Sequence, residues 1–133
     1  MTPRSSLLPL SLIAALFAGC QTGPTSFGTA PQIEHVVLVW LKQPGNELIK
    51  AEMAATARTL PAQIPGIVAM SIGGPLPSDR DVVDDSFDLA LVMRFDSAEA
   101  LRNYETHPVH VDAVNTVLAP NAARIVVYDV SAR

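Results

Sequence analysis

The chain has 133 residues, of which 49% are hydrophobic, 17% charged and 5% aromatic. This length favours a single domain, and the high apolar fraction with a low net charge argues against an intrinsically disordered chain. The formal net charge of −4 argues against a nucleic-acid partner held by a basic surface, and a single cysteine excludes an internal disulfide framework.

Residues 1–20 have the pattern of an export signal. Arg4 is the only charged residue in this segment, and residues 7–18 form a 12-residue apolar stretch. That stretch is shorter than the roughly 20 residues of a transmembrane helix, but it fits the apolar region of a secretory signal. Two small residues precede Cys20, and the resulting FAGC sequence resembles the LAGC sequence of bacterial lipoprotein signals.

The resemblance implies that residues 1–19 are a lipoprotein signal peptide and that Cys20 carries the lipid anchor. Several acyl chains on one residue are enough for stable attachment to a membrane. Residues 20–32 would then be the lipidated cysteine and a flexible tether, since residues 21–32 are uncharged and rich in Thr, Gly and Pro. With Gln21 after the cysteine, we expect an exported envelope lipoprotein at the outer membrane, facing the periplasm. The alternative is an ordinary cleaved signal with an incidental cysteine.

The next part of the chain predicts a strand, a helix and a second strand. Ile33–Leu41 is a β-branched run with apolar residues at both odd and even positions, which is typical of a strand with two covered faces. Asn46 is a favourable N-cap for a segment of helical periodicity, which Pro61 and Pro65-Gly66 are expected to end. Ile67–Ile72 is the second predicted strand.

The following segments repeat the same order with an interrupted helix. Phe87–Phe95 predicts the third strand, and Asp96–Glu99 has the pattern of a capping box that starts a short helix. Pro108 is expected to break this helix and to begin the next one, which ends near Pro120. Arg124–Val130 is the last predicted strand.

The order β-α-β-β-α-β predicts a ferredoxin-like α+β fold, and right-handed crossovers place the helices on one face of the sheet. The opposite face would be apolar, although a sheet face in water is usually polar. Two such sheets packed face to face in a homodimer would resolve this conflict. The residues expected on that face are Val36, Leu38, Trp40, Ala90, Val92, Val126 and Tyr128.

Segments along residues 33–131 resemble the stress-responsive A/B barrel (Dabb) family. They are HVVLVWLK at 35–42, IPGIVAMSIGG at 64–74, FDLALVMRFDSAEALRNYETHPVH at 87–110 and VVYDV at 126–130. The most specific part is Tyr104-x-x-His107-Pro108-x-His110. The resemblance implies that residues 33–131 form a ferredoxin-like domain that dimerises into an α+β barrel. It leaves the activity open, because some members resemble stress-induced plant proteins and one branch resembles polyketide cyclases.

The histidines are the candidates for chemistry, because imidazole titrates near neutral pH. If the odd face of the first strand meets the helices, His35, Tyr104 and His110 would converge on one pocket within each subunit. Met53 and Leu60 would add apolar walls, as is usual for a small-molecule site. The expected pocket residues on the strands and at the helix break are His35, Val37, Val39, Leu89, Leu91 and His107.

In the cyclase branch of the family, the tyrosine and the second histidine of this segment are the catalytic pair. The resemblance implies that His110 is a general base that takes a proton next to a carbonyl group. Tyr104 would orient the substrate or stabilise the enolate. His107, directly before Pro108, would be a cap or hinge residue. The alternative is that Tyr104 and His110 are both structural.

The sequence therefore predicts a lipid-anchored Dabb-domain homodimer that binds a small apolar ligand or acts in a stress response. The alternative is a proton-transfer enzyme of the polyketide-cyclase type, and a third hypothesis is a protein that assembles into higher oligomers. No cofactor and no metal site are expected. His107 and His110 are separated by a proline, and the acidic loop at 79–85 lacks the ordered ligand spacing of a calcium loop.

Overall fold

The computed structural model describes residues 31–131, so the predicted signal peptide, Cys20 and the tether up to residue 30 lie outside the described residues. Within residues 31–131, no helix combines the length and the apolar character needed to cross a bilayer. The elements in chain order are β1 (Ile33–Leu41), α1 (Glu47–Gln63), β2 (Ile67–Gly73), β3 (Leu89–Phe95), α2 (Ala98–Thr106), α3 (Pro108–Ala113), a π-helical segment (Val114–Leu118), α4 (Ala119–Asn121) and β4 (Ala122–Ser131).

The four strands form one sheet with the order β2-β3-β1-β4, and each strand is antiparallel to its neighbours. β1 and β2, which α1 connects, are therefore parallel with β3 between them. β3 and β4 are likewise parallel to each other, with β1 between them, so the two βαβ units interleave. The helices lie on one face of this sheet, and the predicted ferredoxin-like α+β fold is confirmed.

β1 shows the alternation of burial that its sequence parity predicts. Its odd residues are buried beneath the helices, and its even residues are half-buried on the other face. On that second face, Val36 lies in register with Val92 of β3 and Tyr128 of β4. The apolar residues of this face therefore form rows that continue across three strands.

We call this second face the outer sheet face, and charged side chains border it at both ends. At one end Arg94 Nε donates to Glu34 Oε1 at 2.6 Å. At the other end the guanidinium of Arg124 lies 4.3 Å from the centre of the Trp40 ring. Between these two pairs is an apolar strip of Val36, Leu38, Ala90, Val92, Val126 and Tyr128.

α1 begins as predicted, and it ends just before Pro65-Gly66 rather than at Pro61. The side chain of Asn46 accepts hydrogen bonds from the backbone N–H groups of Leu48 and Ile49. The helix then continues through Pro61 to Gln63, so the expectation that Pro61 ends the helix is wrong. Proline removes one hydrogen bond from a helix, and the burial of Leu60 in the core offsets this loss.

The start of α2 differs from its prediction by one residue. Ser97, and not Asp96, is the N-cap, because Ser97 Oγ accepts from the backbone N–H of Ala100 at 3.1 Å. The carboxylate of Asp96 instead accepts from the Ser97 hydroxyl. Glu99 is then the second helical residue, one position too early to close a capping box.

The helix after β3 is interrupted at the predicted place. α2 ends at Thr106, His107 has extended backbone angles, and Pro108 is the first residue of α3. The sequence did not predict the π-helical segment Val114–Leu118 that follows α3. A π turn is a single wide turn within a helix, and such turns are frequent at functional sites.

Candidate ligand-binding site

A cavity of about 510 Å³ lies between the sheet and the helices. The buried core is divided into two clusters, one around Met93 and Phe95 and the other around Val39 and Leu89. Leu91 packs against both clusters and lines the cavity. Side chains from both clusters form the walls, and the volume is within the usual range of small-molecule sites.

Most of the cavity lining is apolar. Every apolar wall residue that the sequence nominated is present, including Met53 and Leu60 from α1. The apolar lining consists of Val37, Val39, Met53, Ala57, Leu60, Ile72, Leu89, Leu91, Ala113, Val114, Val117, Leu118, Ile125 and Val127. The polar lining consists of His35, Thr56, Tyr104, Glu105, His110 and Asp129.

The cavity opens along β4, because the helices leave the inner side of this edge strand uncovered. Val127 is 46% exposed, whereas Val37, its partner on β1, is only 7% exposed. Ile125 is also partly open to solvent. Asp129 belongs to the same side of β4, and its side chain is 43% exposed. We refer to this gap, lined by Ile125, Val127 and Asp129, as the β4 opening.

His35 and Asp129 form a pair across the two strands. They are opposite each other in the register of β1 and β4, and His35 Nδ1 lies 2.6 Å from Asp129 Oδ1. Because a carboxylate can only accept, Nδ1–H of His35 is the donor. The His35 ring is otherwise enclosed by aromatic edges, with ring centres 6.1 Å away for Phe95 and 5.6 Å away for Tyr104.

The ring of Tyr104 connects the two histidines of the cavity. Its centre is 5.6 Å from that of His35 and 4.1 Å from that of His110. α2 supplies Tyr104 one turn before the helix break, and α3 supplies His110 just after it. The structure therefore brings His35, Tyr104 and His110 together at one end of the cavity.

His110 has a defined tautomer and is neutral near pH 7. Its Nδ1 lies 3.1 Å from the backbone carbonyl oxygen of Glu105, and a carbonyl only accepts, so Nδ1 carries the proton. Burial lowers the pKa of His110 below its ordinary value, although the hydrogen bond to the Glu105 carbonyl partly opposes this effect. The neutral ring therefore keeps its lone pair on Nε2, where it can accept a proton.

Tyr104 stays protonated under the same conditions. Burial raises the pKa of its phenol well above the ordinary value, and the negative charge of Glu105 raises the pKa further. No hydrogen bond within residues 31–131 contributes to the pKa of the Tyr104 hydroxyl group, and Tyr104 lines the cavity. The hydroxyl is therefore available to donate to an acceptor atom of a ligand in the cavity.

His107 does not line this cavity, unlike the other expected pocket residues. It ends α2, and its Nδ1 accepts from the backbone N–H of Val109 at 3.3 Å, which caps α3. The physical reason is the proline that follows, which holds His107 in an extended conformation beside the start of α3. Its position fits the cap that the sequence suggested.

Sequence reasoning missed both carboxylates of the cavity. Asp129 carried a signal, because it is an acidic residue within the otherwise apolar run VVYDV of the last strand. Glu105 follows Tyr104 at an exposed position of α2 and carried no signal. Among the residues that the structure describes, no three His, Cys, Asp or Glu side chains are grouped closely enough to hold a metal ion.

Solved structures with this fold include a Dabb family protein from Mesorhizobium loti and a dimeric ferredoxin-like protein of unknown function from Thermobifida fusca. The first is 21% identical, has a TM-score of 0.63, and is matched over 77% of this chain and 98% of its own. The second is 24% identical, has a TM-score of 0.62, and is matched over 77% of this chain and 92% of its own. Likeness at this identity shows the fold alone.

A hydroxynitrile lyase from Passiflora edulis also has this fold. It is 18% identical, has a TM-score of 0.68, and is matched over 77% of this chain and 94% of its own. No curated protein matches the sequence significantly. The family comparison is more specific, because residues 33–132 match the stress responsive A/B barrel domain. This match covers most of the sequence, and the chain therefore belongs to the stress responsive A/B barrel (Dabb) domain family.

Proposed function

We propose that the protein is a homodimeric binding module that holds one small apolar ligand in the cavity of each subunit. The observation that carries this proposal is the cavity of about 510 Å³, which is apolar except for a polar cluster around Tyr104 and His110. Apolar walls with a few convergent polar groups are the usual composition of a small-molecule site. The family's description as stress responsive supports a role for this binding in a stress response.

Binding is tested with N-phenyl-1-naphthylamine, an uncharged probe whose fluorescence rises in apolar surroundings. Ala57 is buried on α1 and lines the cavity, whereas Ala55 is exposed on the same helix. We expect Ala57→Phe to weaken probe binding about tenfold or more by filling the cavity, and Ala55→Phe to leave it unchanged. Circular dichroism checks that both variants are folded. Equal binding by the two folded variants would contradict the proposal.

We propose that the homodimer forms through the outer sheet face. The residues of the apolar strip around Leu38 are only half-buried within the chain, apart from the exposed Tyr128, and an accessible apolar face of this kind marks an interaction surface. The ion pair of Arg94 with Glu34 and the stacked pair of Arg124 with Trp40 give the strip polar ends. The dimeric proteins of the same fold, including the one from Thermobifida fusca, support this arrangement.

The second candidate function is proton transfer by an enzyme of the polyketide-cyclase type, and the pairing of His110 with Tyr104 favours it. His110 Nε2 would take a proton from the carbon next to a carbonyl group. The Tyr104 hydroxyl would donate to the carbonyl oxygen, where negative charge develops as the proton leaves. The hydroxynitrile lyase from Passiflora edulis, with the same fold, supports an active site on this scaffold.

We also propose that the protein is exported and anchored at the envelope through Cys20, at the outer membrane and facing the periplasm. The FAGC sequence and the uncharged segment of residues 21–32 support this proposal. In a detergent-partitioning experiment on cells that express the full chain, we expect the protein in the detergent phase. The Cys20→Ser variant should move to the aqueous phase. A Cys20→Ser protein that still partitions with membranes would contradict lipid anchoring.

A further inference from the structure

The charged groups that line the cavity all belong to acidic residues. Of the described residues in its lining, Asp129 and Glu105 carry carboxylates and none is a lysine or an arginine. His110 does not supply a compensating positive charge near pH 7, because burial keeps it neutral. A ligand that enters the cavity therefore meets negative charge and no fixed cation.

The negative charge is concentrated where the polar head of a ligand would lie. Tyr104 supplies a neutral hydroxyl donor to the cavity lining, and its ring lies beside both His110 and His35. His35 is hydrogen-bonded to Asp129 at the β4 opening. A head group at this end of the cavity therefore shares it with the Asp129 carboxylate, the Glu105 carboxylate and His110.

We propose that Asp129 and Glu105 make this cavity selective against anionic ligands. It accepts an amphiphile whose head is a hydroxyl or a carbonyl group and rejects the carboxylate of the same chain length. The inference rests on the proposed ligand-binding function and specifies its ligand class. Specificity of this kind arises from what the site repels as well as from what it attracts.

Each type of head group has a distinct physical outcome in this site. A hydroxyl or carbonyl oxygen accepts from Tyr104, and a hydroxyl can also donate to Nε2 of His110. A carboxylate would be held near Asp129 in a partly buried site without a cation, which disfavours its charged form. An ammonium group would compete with His35 for Asp129, which already accepts a hydrogen bond of 2.6 Å, but the carboxylate of Glu105 would attract it.

The test uses the full chain and three probes that share a ten-carbon chain: 1-decanol, decanoate and decylammonium. Each probe competes with bound N-phenyl-1-naphthylamine at pH 7.5, where decanoate and decylammonium are charged. We expect 1-decanol to bind about tenfold or more tightly than decanoate, and decylammonium to bind more tightly than decanoate. Neutral compounds bind any apolar site better than charged ones do. The decisive quantity is therefore the change in the ratio of decanoate affinity to decanol affinity when a carboxylate of the cavity is replaced by an amide.

Asp129→Asn keeps an oxygen that can accept from His35, and Glu105→Gln leaves the backbone carbonyl that binds His110 in place. We expect each variant to reduce the preference for decanol over decanoate several-fold, and the double variant to reduce it about tenfold. Glu99→Gln removes the same charge from an exposed position of α2 outside the cavity, so it is the matched control and should leave the ratio unchanged.

The outcomes separate this inference from the function on which it rests. If decanoate binds as tightly as decanol or decylammonium, or if the double variant leaves the ratio unchanged, selectivity against anionic ligands is overturned while ligand binding stands. If the unaltered protein binds neither the fluorescent probe nor any ten-carbon compound, the binding function itself is wrong and the inference falls with it.

Discussion

The protonation states of single side chains determine what this cavity can do. His110 donates its Nδ1 proton to the Glu105 carbonyl, and burial keeps the ring neutral at physiological pH. Tyr104 keeps its hydroxyl proton because burial raises its pKa. A neutral acceptor and a neutral donor therefore lie next to each other, and they can serve binding or proton transfer equally well. Two measurements on His110 address these states.

The first measurement on His110 concerns folding stability. The unfolded chain protonates His110 near pH 6.5, whereas the folded protein protonates it only at lower pH. Between these two pKa values the unfolded state binds more protons, so the free energy of unfolding falls as the pH drops through this window. We expect His110→Gln to remove this part of the decline. Urea unfolding at a series of pH values from 8 to 5 measures it, and superimposable curves for the two proteins would contradict the assignment.

The second measurement separates binding from catalysis. An apolar ketone such as 2-nonanone, dissolved in heavy water with the protein, exchanges the protons next to its carbonyl if a base in the cavity removes them. If the enzyme hypothesis holds, His110→Ala should slow this exchange by about 10²- to 10⁴-fold. A pure binding module should show no exchange above the rate without protein. Exchange that persists unchanged in His110→Ala would rule out His110 as the base.

At the level of the elements, the turn between α1 and β2 fixes how α2 approaches the sheet. Gly66 in this turn has a φ of +92°, and a Cβ atom at this position would collide with the Cβ of Ala100 on α2. The backbone carbonyl of Gly66 also accepts from the N–H of Asp96, just before α2. This turn therefore places α2, and with it Tyr104, over the sheet.

We expect Gly66→Ala to destabilise the fold more than Gly45→Ala. Gly45 also has a positive φ, of +74°, but nothing lies within 4 Å of an added Cβ there. Gly45→Ala should thus lose about 1 kcal/mol from backbone strain alone, and Gly66→Ala should lose about 1–3 kcal/mol more from the clash. Denaturant unfolding measures both values. Partial recovery of Gly66→Ala by Ala100→Gly would identify the clash as the cause, and equal losses in the two alanine variants would exclude it.

Local signals in the sequence were enough to predict the strands and helices but not the full site. The parity of β1 predicted which side chains face the helices, and Asn46 predicted the start of α1. Pro61 led to a wrong prediction of the helix end. A proline can be read from the local sequence, whereas the burial of its neighbours depends on the tertiary structure. Asp129 was missed because its role depends on the register of β4 against β1, which strand periodicity alone does not determine.

At the level of the whole molecule, the two faces of the sheet have different roles in this account. The inner face forms the cavity with the helices, and the outer sheet face is proposed to bind a second copy of the chain. Leu38 lies near the middle of the outer face, in register with Ala90 and Val126. A stable interface of usual size buries about 800 Å² on each partner, so one charge at its centre should prevent association.

We expect Leu38→Arg to convert the dimer to a monomer at micromolar concentration. Leu48→Arg introduces the same charge at a leucine of α1 that is 83% exposed, and it should remain dimeric. Light scattering coupled to size-exclusion chromatography measures both masses, and circular dichroism checks the fold. A monomeric unaltered protein, or a dimeric Leu38→Arg protein, would exclude the outer sheet face as the interface.

The proposed function requires the cavity to be a ligand site with its polar end at Tyr104 and His110. A crystal structure of the protein grown with 1-decanol tests this most directly. We expect density for the alkyl chain between the sheet and the helices, with the alcohol oxygen within hydrogen-bond distance of the Tyr104 hydroxyl or His110 Nε2. A cavity closed by its own side chains, or density only outside the cavity, would contradict the proposed function.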